Sequence, residues 1–431
     1  MSLPNPRRIS LDVLDAVLRK GRPLDEAFSS DGRLSELSSR DRAFVRLLVT
    51  TVIRRLGEID AVLASFLERP LRGKRERLQD VLRLGTAQLL FLETPPHAAV
   101  ATSVALAKAA GFEGLAGLVN AVLRRVGVKG SAILKDLDPD KLALPGWLWN
   151  RLVQTYGEAE TRAITQVQRS DPPIDLTLRD PDTADEWAQK LDATRLPNGS
   201  LRLSRGAGDI RQLAGFAEGA WWVQDAAASL PARLLAPQPG EVIADLCSAP
   251  GGKTLQLAAA GAEVFAVELH PKRLELVQEN LVRTQLSAAC VVADASLWQP
   301  PESLNGVLLD APCSATGTLR RHPDVALHRR PDELEKLVRL QDCLLENAAK
   351  LVKQGGRLVY SVCSLLPEEG PARISAFLNK GAPFRVEAVA FEDFGLPREA
   401  ADETGGLRTQ PSFWGETGGM DGFYMCRLRR L

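Results

Sequence analysis

The pattern of apolar and polar positions divides the chain into regions of different character. From Ile9 to Val126, apolar residues recur at three- and four-residue spacing, for example at Leu11, Leu14 and Leu18. That spacing is typical of a helix with one buried face. Because runs of β-branched residues are scarce here, this region is predicted to form an all-helical bundle of roughly five to seven helices.

The next hundred residues have a weaker and more mixed pattern. Glycines and alternating charges over residues 127–141 predict a linker, and a helical segment starts at Pro145. Beyond it the alternation of apolar and polar residues predicts a small α+β unit. Its predicted helix covers residues 184–191, and its predicted strands cover 174–178, 201–203 and 221–223.

From Val242 onward, short apolar runs alternate with longer helical stretches. The runs predict strands over residues 242–245, 264–268, 290–294, 307–310 and 358–361. The stretches between them predict helices over 254–260, 271–285 and 331–353, with later strands over 386–391 and 423–428. This alternation predicts a doubly wound α/β domain with a parallel sheet.

Composition narrows the class of protein. The 431 residues contain no apolar run near the ~20 residues that a membrane helix needs. Six cysteines without a C-x-x-C pair, and only four histidines, predict neither a disulfide framework nor a metal cluster. We therefore expect free thiols in a cytoplasmic protein that binds no metal and contacts no membrane. The sequence does not fix the oligomeric state, and a monomer is the default expectation.

The net charge is zero, but it is unevenly distributed. Residues 1–130 hold 21 Lys and Arg against 14 Asp and Glu, whereas the remainder holds 33 against 40. A basic amino-terminal part suggests that this region meets a polyanion such as a nucleic acid.

A turn of small residues follows the first predicted strand of the sheet, over residues 245–254. It is not a phosphate-binding P-loop, because Cys247 stands where that motif needs glycine, and its adjacent glycines do not fit a dinucleotide fingerprint. Carboxylates follow the next strands at Glu268, Asp294 and Asp310. These features favour a nucleoside cofactor without a pyrophosphate, and they suit the cationic S-adenosyl-L-methionine.

Two cysteines, Cys313 and Cys363, each follow a predicted strand directly. If those strands are neighbours, about 5 Å apart, both thiols lie at one edge of the sheet and could act on one bound molecule. A thiolate that adds to carbon-6 of cytosine makes carbon-5 nucleophilic towards a methyl donor. Asp310, as a carboxylic acid, could hydrogen-bond ring nitrogen N3, which requires it to hold its proton. Spacing alone does not say which thiol attacks.

Four motifs resemble those of the RNA (cytosine-5) methyltransferases of the RsmB/Sun family. They are Cys-Ser-Ala-Pro-Gly-Gly-Lys-Thr at 247–254, Asp-Ala-Pro-Cys-Ser-Ala-Thr-Gly at 310–317, Arg-Arg-His-Pro-Asp at 320–324 and Tyr-Ser-Val-Cys-Ser at 360–364. The amino-terminal helices are similar to the NusB-type RNA-binding domain, and the small α+β unit to the RNA-recognition-like subdomain that precedes this catalytic fold. The chain departs mildly from the family at Ser248, where alanine is usual, and at Glu268, where aspartate is common.

The resemblance implies a multidomain protein. Its parts would be an all-α NusB-like N-terminal domain (1–130), a linker with helices (131–171), a small α+β RNA-recognition-like subdomain (172–225) and an α/β Rossmann-like methyltransferase domain that depends on S-adenosyl-L-methionine (226–431). The implied function is methylation of carbon-5 of a cytosine in small-subunit (16S) ribosomal RNA, either free or in an early assembly particle. Cys363 would be the nucleophile, Cys313 would assist product release, and Asp310 would activate the base.

The resemblance also implies contacts with the cofactor. They fall on Cys247, Ser248, Ala249, Pro250, Gly251, Gly252, Lys253, Glu268, Asp294 and Asp310. After the Cys313 loop, Arg320, Arg321 and His322 are placed to touch RNA phosphates or flanking bases.

The same motifs argue against two other classes of methyltransferase. DNA cytosine methyltransferases lack the second thiol, so Cys363 argues against them, and 310–313 lacks the Asn/Asp-Pro-Pro-Tyr-type loop of amino-methyltransferases. Two alternatives stay open: a non-catalytic RNA-binding factor in antitermination or ribosome assembly, and a cytosine-5 methyltransferase acting on tRNA or another RNA.

Overall fold

A computed structural model describes residues 5–69, 71–204 and 206–431. Contacts divide the chain into two compact units. One comprises the chain up to Val153 together with His322–Arg329, and the other comprises Gln154–Arg321 with Arg330–Leu431. Within the described ranges, no helix is both long and apolar enough to span a membrane.

The α-helices of the described residues are numbered in chain order: α1 (Pro6–Leu18), α2 (Leu24–Ser29), α3 (Ser39–Arg54), α4 (Leu56–Ala64), α5 (Glu76–Leu90), α6 (Pro96–Ala109), α7 (Ala116–Lys135), α8 (Pro139–Leu142), α9 (Gly146–Gln168), α10 (Ala184–Lys190), α11 (Leu230–Leu235), α12 (Gly252–Ala259), α13 (Pro271–Thr284), α14 (Val325–His328), α15 (Pro331–Leu351) and α16 (Pro371–Asn379). Helix α9 is interrupted at Gly157, whose backbone is not helical.

The strands of the described residues are β1 (Asp175–Leu178), β2 (Ala193–Arg195), β3 (Leu201–Leu203), β4 (Trp221–Val223), β5 (Val242–Leu246), β6 (Glu263–Glu268), β7 (Ala289–Val292), β8 (Leu304–Asp310), β9 (Val352–Val362), β10 (Phe384–Val386), β11 (Leu407–Arg408) and β12 (Tyr424–Arg430).

The first unit is helical, as its apolar periodicity predicts. Leu14 of α1, Val45 of α3, Leu82 of α5 and Leu123 of α7 are fully buried members of one core. Burial of such side chains is the main source of stability in a helical bundle.

Helix α14 and the residues before it belong to this helical unit. The backbone N–H of Leu24 donates to Asp324 Oδ2 (3.0 Å), and a ring nitrogen of His328 lies 3.0 Å from the carbonyl oxygen of Val17. A segment distant in sequence thus completes the packing of the amino-terminal helices.

The predicted linker over residues 127–141 is wrong in its first part, because α7 continues to Lys135. Gly127 and Gly130 lie inside this helix. Gly130 is buried, and a β-carbon placed on it would lie 3.0 Å from the methyl groups of Leu90. Close packing of α7 against the end of α5 therefore outweighs the low helix propensity of glycine.

In the second unit, β1 to β4 form a small antiparallel sheet in the order β2-β3-β1-β4. Three of these strands and α10 match the predicted elements. The pattern did not predict β2, since Thr194 and Arg195 are exposed and offer no apolar alternation.

The large sheet has the order β10-β12-β9-β8-β5-β6-β7, with β11 pairing alongside β12. Strands β9, β8, β5, β6 and β7 are parallel, and β12 and β10 are antiparallel additions. The connections reverse direction at β5 and β8, which is where ligands bind in open sheets of this kind. The predicted strand over 386–391 is wrong beyond Val386, because Phe391–Phe394 form a 3₁₀ turn.

Successive residues of each central strand pack on opposite faces of this sheet. In β8, Val307 and Leu309 belong to the cluster that contains Leu344 of α15, whereas Leu308 packs with Leu234 of α11. Because both faces are covered, these strands are continuous apolar runs. Their polar residues are confined to the strand ends, where the candidate site lies.

Candidate active site

Two thiols lie side by side at the carboxyl edge of the large sheet. Strands β8 and β9 are parallel neighbours, with Asp310 opposite Ser361, which confirms the predicted adjacency. The sulfur atoms of Cys313 and Cys363 are 3.4 Å apart. The two cysteines predicted as a pair are therefore brought together by the fold.

The two thiols differ in their surroundings. Cys313 is buried, while Cys363 is only partly buried. The hydrogen bond with Cys363, together with burial, raises the pKa of Cys313 well above its ordinary value. Cys313 therefore keeps its proton, and either thiol can be the donor in the bond between them. The thiol that is more open to solvent, Cys363, is the better placed of the two to attack a ligand.

Next to the thiols, Asp310 forms an ion pair with Lys253. The Lys253 ammonium is 2.7 Å from Asp310 Oδ2, and the Ser361 hydroxyl donates to Oδ1 (2.9 Å). Burial works against the charge on Lys253, but the Asp310 carboxylate raises its pKa above the ordinary value. Asp310 thus has an ammonium partner and a hydroxyl donor, and its action on the base stays a prediction.

The turn between β5 and α12 has the shape of a ligand cradle. Gly251 has a φ of 106°, and a β-carbon on it would lie 3.2 Å from Val277. The hydroxyl of Ser248 and Oδ1 of Asp245 are buried without a hydrogen-bond partner among the described residues. A turn with small residues and unsatisfied buried polar atoms fits a bound polar cofactor. Within the described ranges, no group of three or more His, Cys, Asp or Glu could hold a metal ion.

The other two carboxylates that are predicted to bind the cofactor differ in burial. Glu268, at the end of β6, is buried and accepts from the backbone N–H groups of Ala249 (3.4 Å) and His270 (3.1 Å), with Arg273 3.2 Å away. Asp294 lies two residues beyond β7, is exposed, and accepts from Ser296. Both lie at the carboxyl edge of the sheet, as predicted, and their contact with a cofactor stays a prediction.

Asp245 is a site residue that was not predicted. Its side chain is fully buried beneath the glycine turn and accepts a hydrogen bond from the Thr254 hydroxyl (2.6 Å). Burial raises its pKa to about 7. The signal available in the sequence was its position, because it belongs to the same series of strand-end carboxylates as Glu268 and Asp310.

Asp245 should make stability depend on pH. Its carboxyl holds its proton in the folded chain up to about pH 7, whereas in the unfolded chain it ionises near pH 4. Stability is therefore lost as pH rises through this window. Relative to Asp245→Asn, the parent should lose on the order of 2 to 3 kcal/mol between pH 5 and pH 8 in urea unfolding. Asp294→Asn, at an exposed carboxylate, is the control, and a constant difference between parent and Asp245→Asn would contradict the expectation.

A buried charge network surrounds the loop after Cys313. Its members are Asp175, Arg202, Asp225, Arg320, Arg321 and Asp421. Arg320 is 0% exposed, pairs with Asp225, and donates to Asp421 Oδ1 (2.8 Å). Arg321 lies 2.6 Å from Asp225 Oδ2. Burial alone would raise the pKa of Asp225, but Arg321 and Arg320 lower it below its ordinary value.

The network corrects the predicted RNA contacts. The Arg320 guanidinium is enclosed and bonded within the protein, so we no longer assign it to RNA. Most of Arg321 is enclosed in the same way, while His322 is half-exposed and lies 3.2 Å from Asp25 in the helical unit. RNA contact by Arg321 and His322 stays a prediction.

Gly317 permits a close approach of two chain segments beside the thiols. Its N–H donates to the carbonyl of Cys363 (3.0 Å), and its own carbonyl accepts from Gly422 N–H (2.8 Å). A β-carbon on Gly317 would lie 1.8 Å from the Gly422 carbonyl oxygen, so no other residue fits without moving the backbone. The loop that carries Cys313 is thereby fixed against β9 and the segment before β12.

Comparison with known proteins agrees with this architecture. The family model for 16S rRNA methyltransferase RsmB/F matches residues 232–429, and that for the NusB family matches residues 4–127. The ribosomal RNA small subunit methyltransferase B of Shewanella oneidensis is 35% identical over 436 residues, covering 98% of this chain and 99% of that protein. The protein of the same name from Cronobacter sakazakii is 34% identical over 440 residues, covering 98% of each.

Among solved structures, the crystal structure of PH0851 has a TM-score of 0.78 at 23% identity, and each chain is covered completely. This likeness supports the fold. Together with the near full-length relatives, it confirms the predicted NusB-like and Rossmann-like methyltransferase domains. The chain belongs to the RsmB/F family of 16S ribosomal RNA methyltransferases.

Proposed function

We propose that the protein transfers a methyl group from S-adenosyl-L-methionine to carbon-5 of a cytosine in 16S ribosomal RNA. The observation that carries this proposal is the 3.4 Å separation of the Cys313 and Cys363 sulfur atoms at the ligand-binding edge of the sheet. Carbon-5 needs covalent activation, and two adjacent thiols that differ in burial suit a reaction that first forms and then breaks a bond to carbon-6.

In this mechanism Cys363 is the nucleophile. Its thiolate adds to carbon-6, and the electron pair displaced through the ring makes carbon-5 the new nucleophile. After methyl transfer, a water molecule acting as base takes the proton from carbon-5. The carbon–hydrogen electron pair restores the carbon-5–carbon-6 double bond, the carbon-6–sulfur bond breaks, and its electron pair returns to Cys363. Cys313, which holds its proton in the resting site, assists this release.

The Lys253–Asp310 pair supplies charge beside the base. Asp310, held in place by Lys253 and Ser361, orients and activates the base by hydrogen bonding to the ring. Lys253 lies close enough to Cys363 for the cysteine to raise its pKa. The same ammonium therefore lies within electrostatic reach of both Cys363 and Asp310.

The cofactor-binding residues are the turn from Cys247 to Lys253 and the carboxylates of Glu268, Asp294 and Asp310. S-adenosyl-L-methionine supplies an electrophilic methyl group on a cationic sulfonium. The unsatisfied hydroxyl of Ser248 provides a polar contact in the turn. The carboxylates favour the positive charge and, at Glu268, could accept ribose hydroxyls once Arg273 moves aside. A cytoplasmic location with ribosomal RNA as partner completes the proposal.

The test is methyl transfer to small-subunit RNA. The full chain is incubated with methyl-labelled donor and either unmethylated 16S RNA or tRNA, and the digested nucleosides are analysed by mass spectrometry. We expect the label in 5-methylcytidine from 16S RNA. Label in another nucleoside would overturn the carbon-5 assignment, label appearing only with tRNA would overturn the substrate, and no transfer to any RNA would favour a non-catalytic RNA-binding factor.

A further inference from the structure

One buried carboxylate lies between the two loops that carry the thiols. Glu369 follows β9 and is 0% exposed. Its Oε1 accepts from the backbone N–H of Ser314 (2.8 Å), and its Oε2 accepts from the hydroxyls of Ser314 and Ser364. Each serine directly follows one of the two cysteines in the sequence. Glu369 is therefore bonded to the residue after each thiol.

Residues of α15 and β9 make further hydrogen bonds to Glu369. The Gln341 amide of α15 donates to Glu369 Oε1 (3.0 Å) and also to the carbonyl of Pro312 (2.9 Å), the residue before Cys313. The Tyr360 hydroxyl of β9 donates to the backbone carbonyl of Glu369 (2.7 Å). Gln341 thus links Glu369 to the residue before Cys313, and Tyr360 links it to the strand that leads to Cys363.

The bonding of Glu369 is unusual for a buried side chain. Among the described residues, Glu369 has no ion pair, and its two carboxyl oxygens are bonded to the backbone N–H of Ser314, the hydroxyls of Ser314 and Ser364, and the amide of Gln341. A buried polar group costs free energy unless hydrogen bonds satisfy it. Loss of any one of these partners would therefore leave a buried polar atom unsatisfied, and this cost keeps the two serines in fixed positions.

We propose that Glu369 is a positioning residue that sets the spacing of the two active-site thiols. It acts through Ser364 on Cys363 and through Ser314 on Cys313, and it touches neither thiol nor the base. This role rests on the proposed function, in which the two cysteines act in sequence on one cytosine. It predicts that the two serine contacts have separable effects, one on adduct formation and one on adduct release.

The first measurement concerns thiol spacing and does not require methyl transfer. The full chain is treated with a reagent that bridges two thiols, such as dibromobimane, and the 313–363 cross-link is quantified by peptide mass spectrometry. Glu369→Gln should cross-link about tenfold more slowly than the parent. Glu346→Gln, at an exposed carboxylate of α15 paired with Lys380, is the matched control and should match the parent.

The second measurement separates the two contacts in single-turnover reactions with RNA. Ser364→Ala should slow formation of the covalent RNA–protein complex roughly tenfold, while Ser314→Ala should form it at the parent rate and release it more slowly. For Glu369→Gln, kcat should fall about 100-fold with the KM for the methyl donor within about threefold of the parent value. A merely structural role would not split formation from release in this way.

The outcomes are distinguishable. Parent-like cross-linking and kcat in folded Glu369→Gln would overturn the inference, even with the proposed function intact. If that variant does not fold, the serine variants decide, and parent-like kinetics in both would overturn it. If neither the parent nor Cys313→Ala forms a covalent complex with RNA, the proposed function fails, and the cross-linking rates alone then confirm or overturn the effect of Glu369 on thiol spacing.

Discussion

Replacing Cys363 with alanine is expected to lower the rate of methyl transfer by about 10³-fold or more, with no covalent RNA–protein complex at any time. Removing the nucleophile leaves carbon-5 of the base without activation, and Cys313 cannot substitute because it is buried and holds its proton. The measurements are labelled methyl incorporation and denaturing gel electrophoresis of the RNA–protein mixture.

Cys313→Ala should have the opposite signature. The nucleophile is retained, so the adduct forms, but without the second thiol it resolves slowly and a complex that survives denaturation accumulates. The double variant should form no complex, which shows that the trapped bond is to Cys363. Cys343→Ala, at an exposed cysteine of α15, is the control and should behave as the parent. Full turnover by Cys363→Ala, or a complex trapped in that variant, would show that the roles are assigned wrongly.

The second large effect is on stability. Asp225→Asn should lower the free energy of unfolding by about 3 to 5 kcal/mol, because it leaves Arg320 and part of Arg321 as buried charges without their principal partner. Trp221 and Trp222, in the strand just before Asp225, make fluorescence a suitable signal for urea unfolding.

Asp185→Asn is the matched control for this prediction. It removes the same charge from the exposed pair with Arg195, and it should change the free energy by no more than about 0.5 kcal/mol. A change that small for Asp225→Asn would mean that the network contributes little to folding.

The sequence predicted those parts of the site that depend on strand order. Buried parallel strands are continuous apolar runs, so the residue at which each run ends identifies the ligand edge. Cys313, Cys363 and Asp310 were found in this way, and the register of β8 with β9 brings them together. The resemblance to the RsmB/Sun family added the roles of the two thiols, which spacing alone could not give.

What the sequence could not show is which charges are enclosed. The sequence does not distinguish an arginine that faces RNA from one that faces two aspartates of distant segments, and Arg320 proved to be enclosed by such a pair. Glu369 was missed for the same reason, since its partners lie about 5 to 55 positions away in the chain. The continuation of α7 through Gly130 could not be predicted either, because it depends on packing against Leu90, and helix propensity does not take such tertiary contacts into account.

The packing of His322–Arg329 with the amino-terminal helices means that this domain is not one continuous stretch of chain. A fragment cut after Val153 would lack the carboxylate that caps Leu24 and the imidazole beside Val17. A single truncation is therefore not enough to isolate the helical unit or to exchange it in a chimaera. The eight residues His322–Arg329 have to be attached to it through a designed connection.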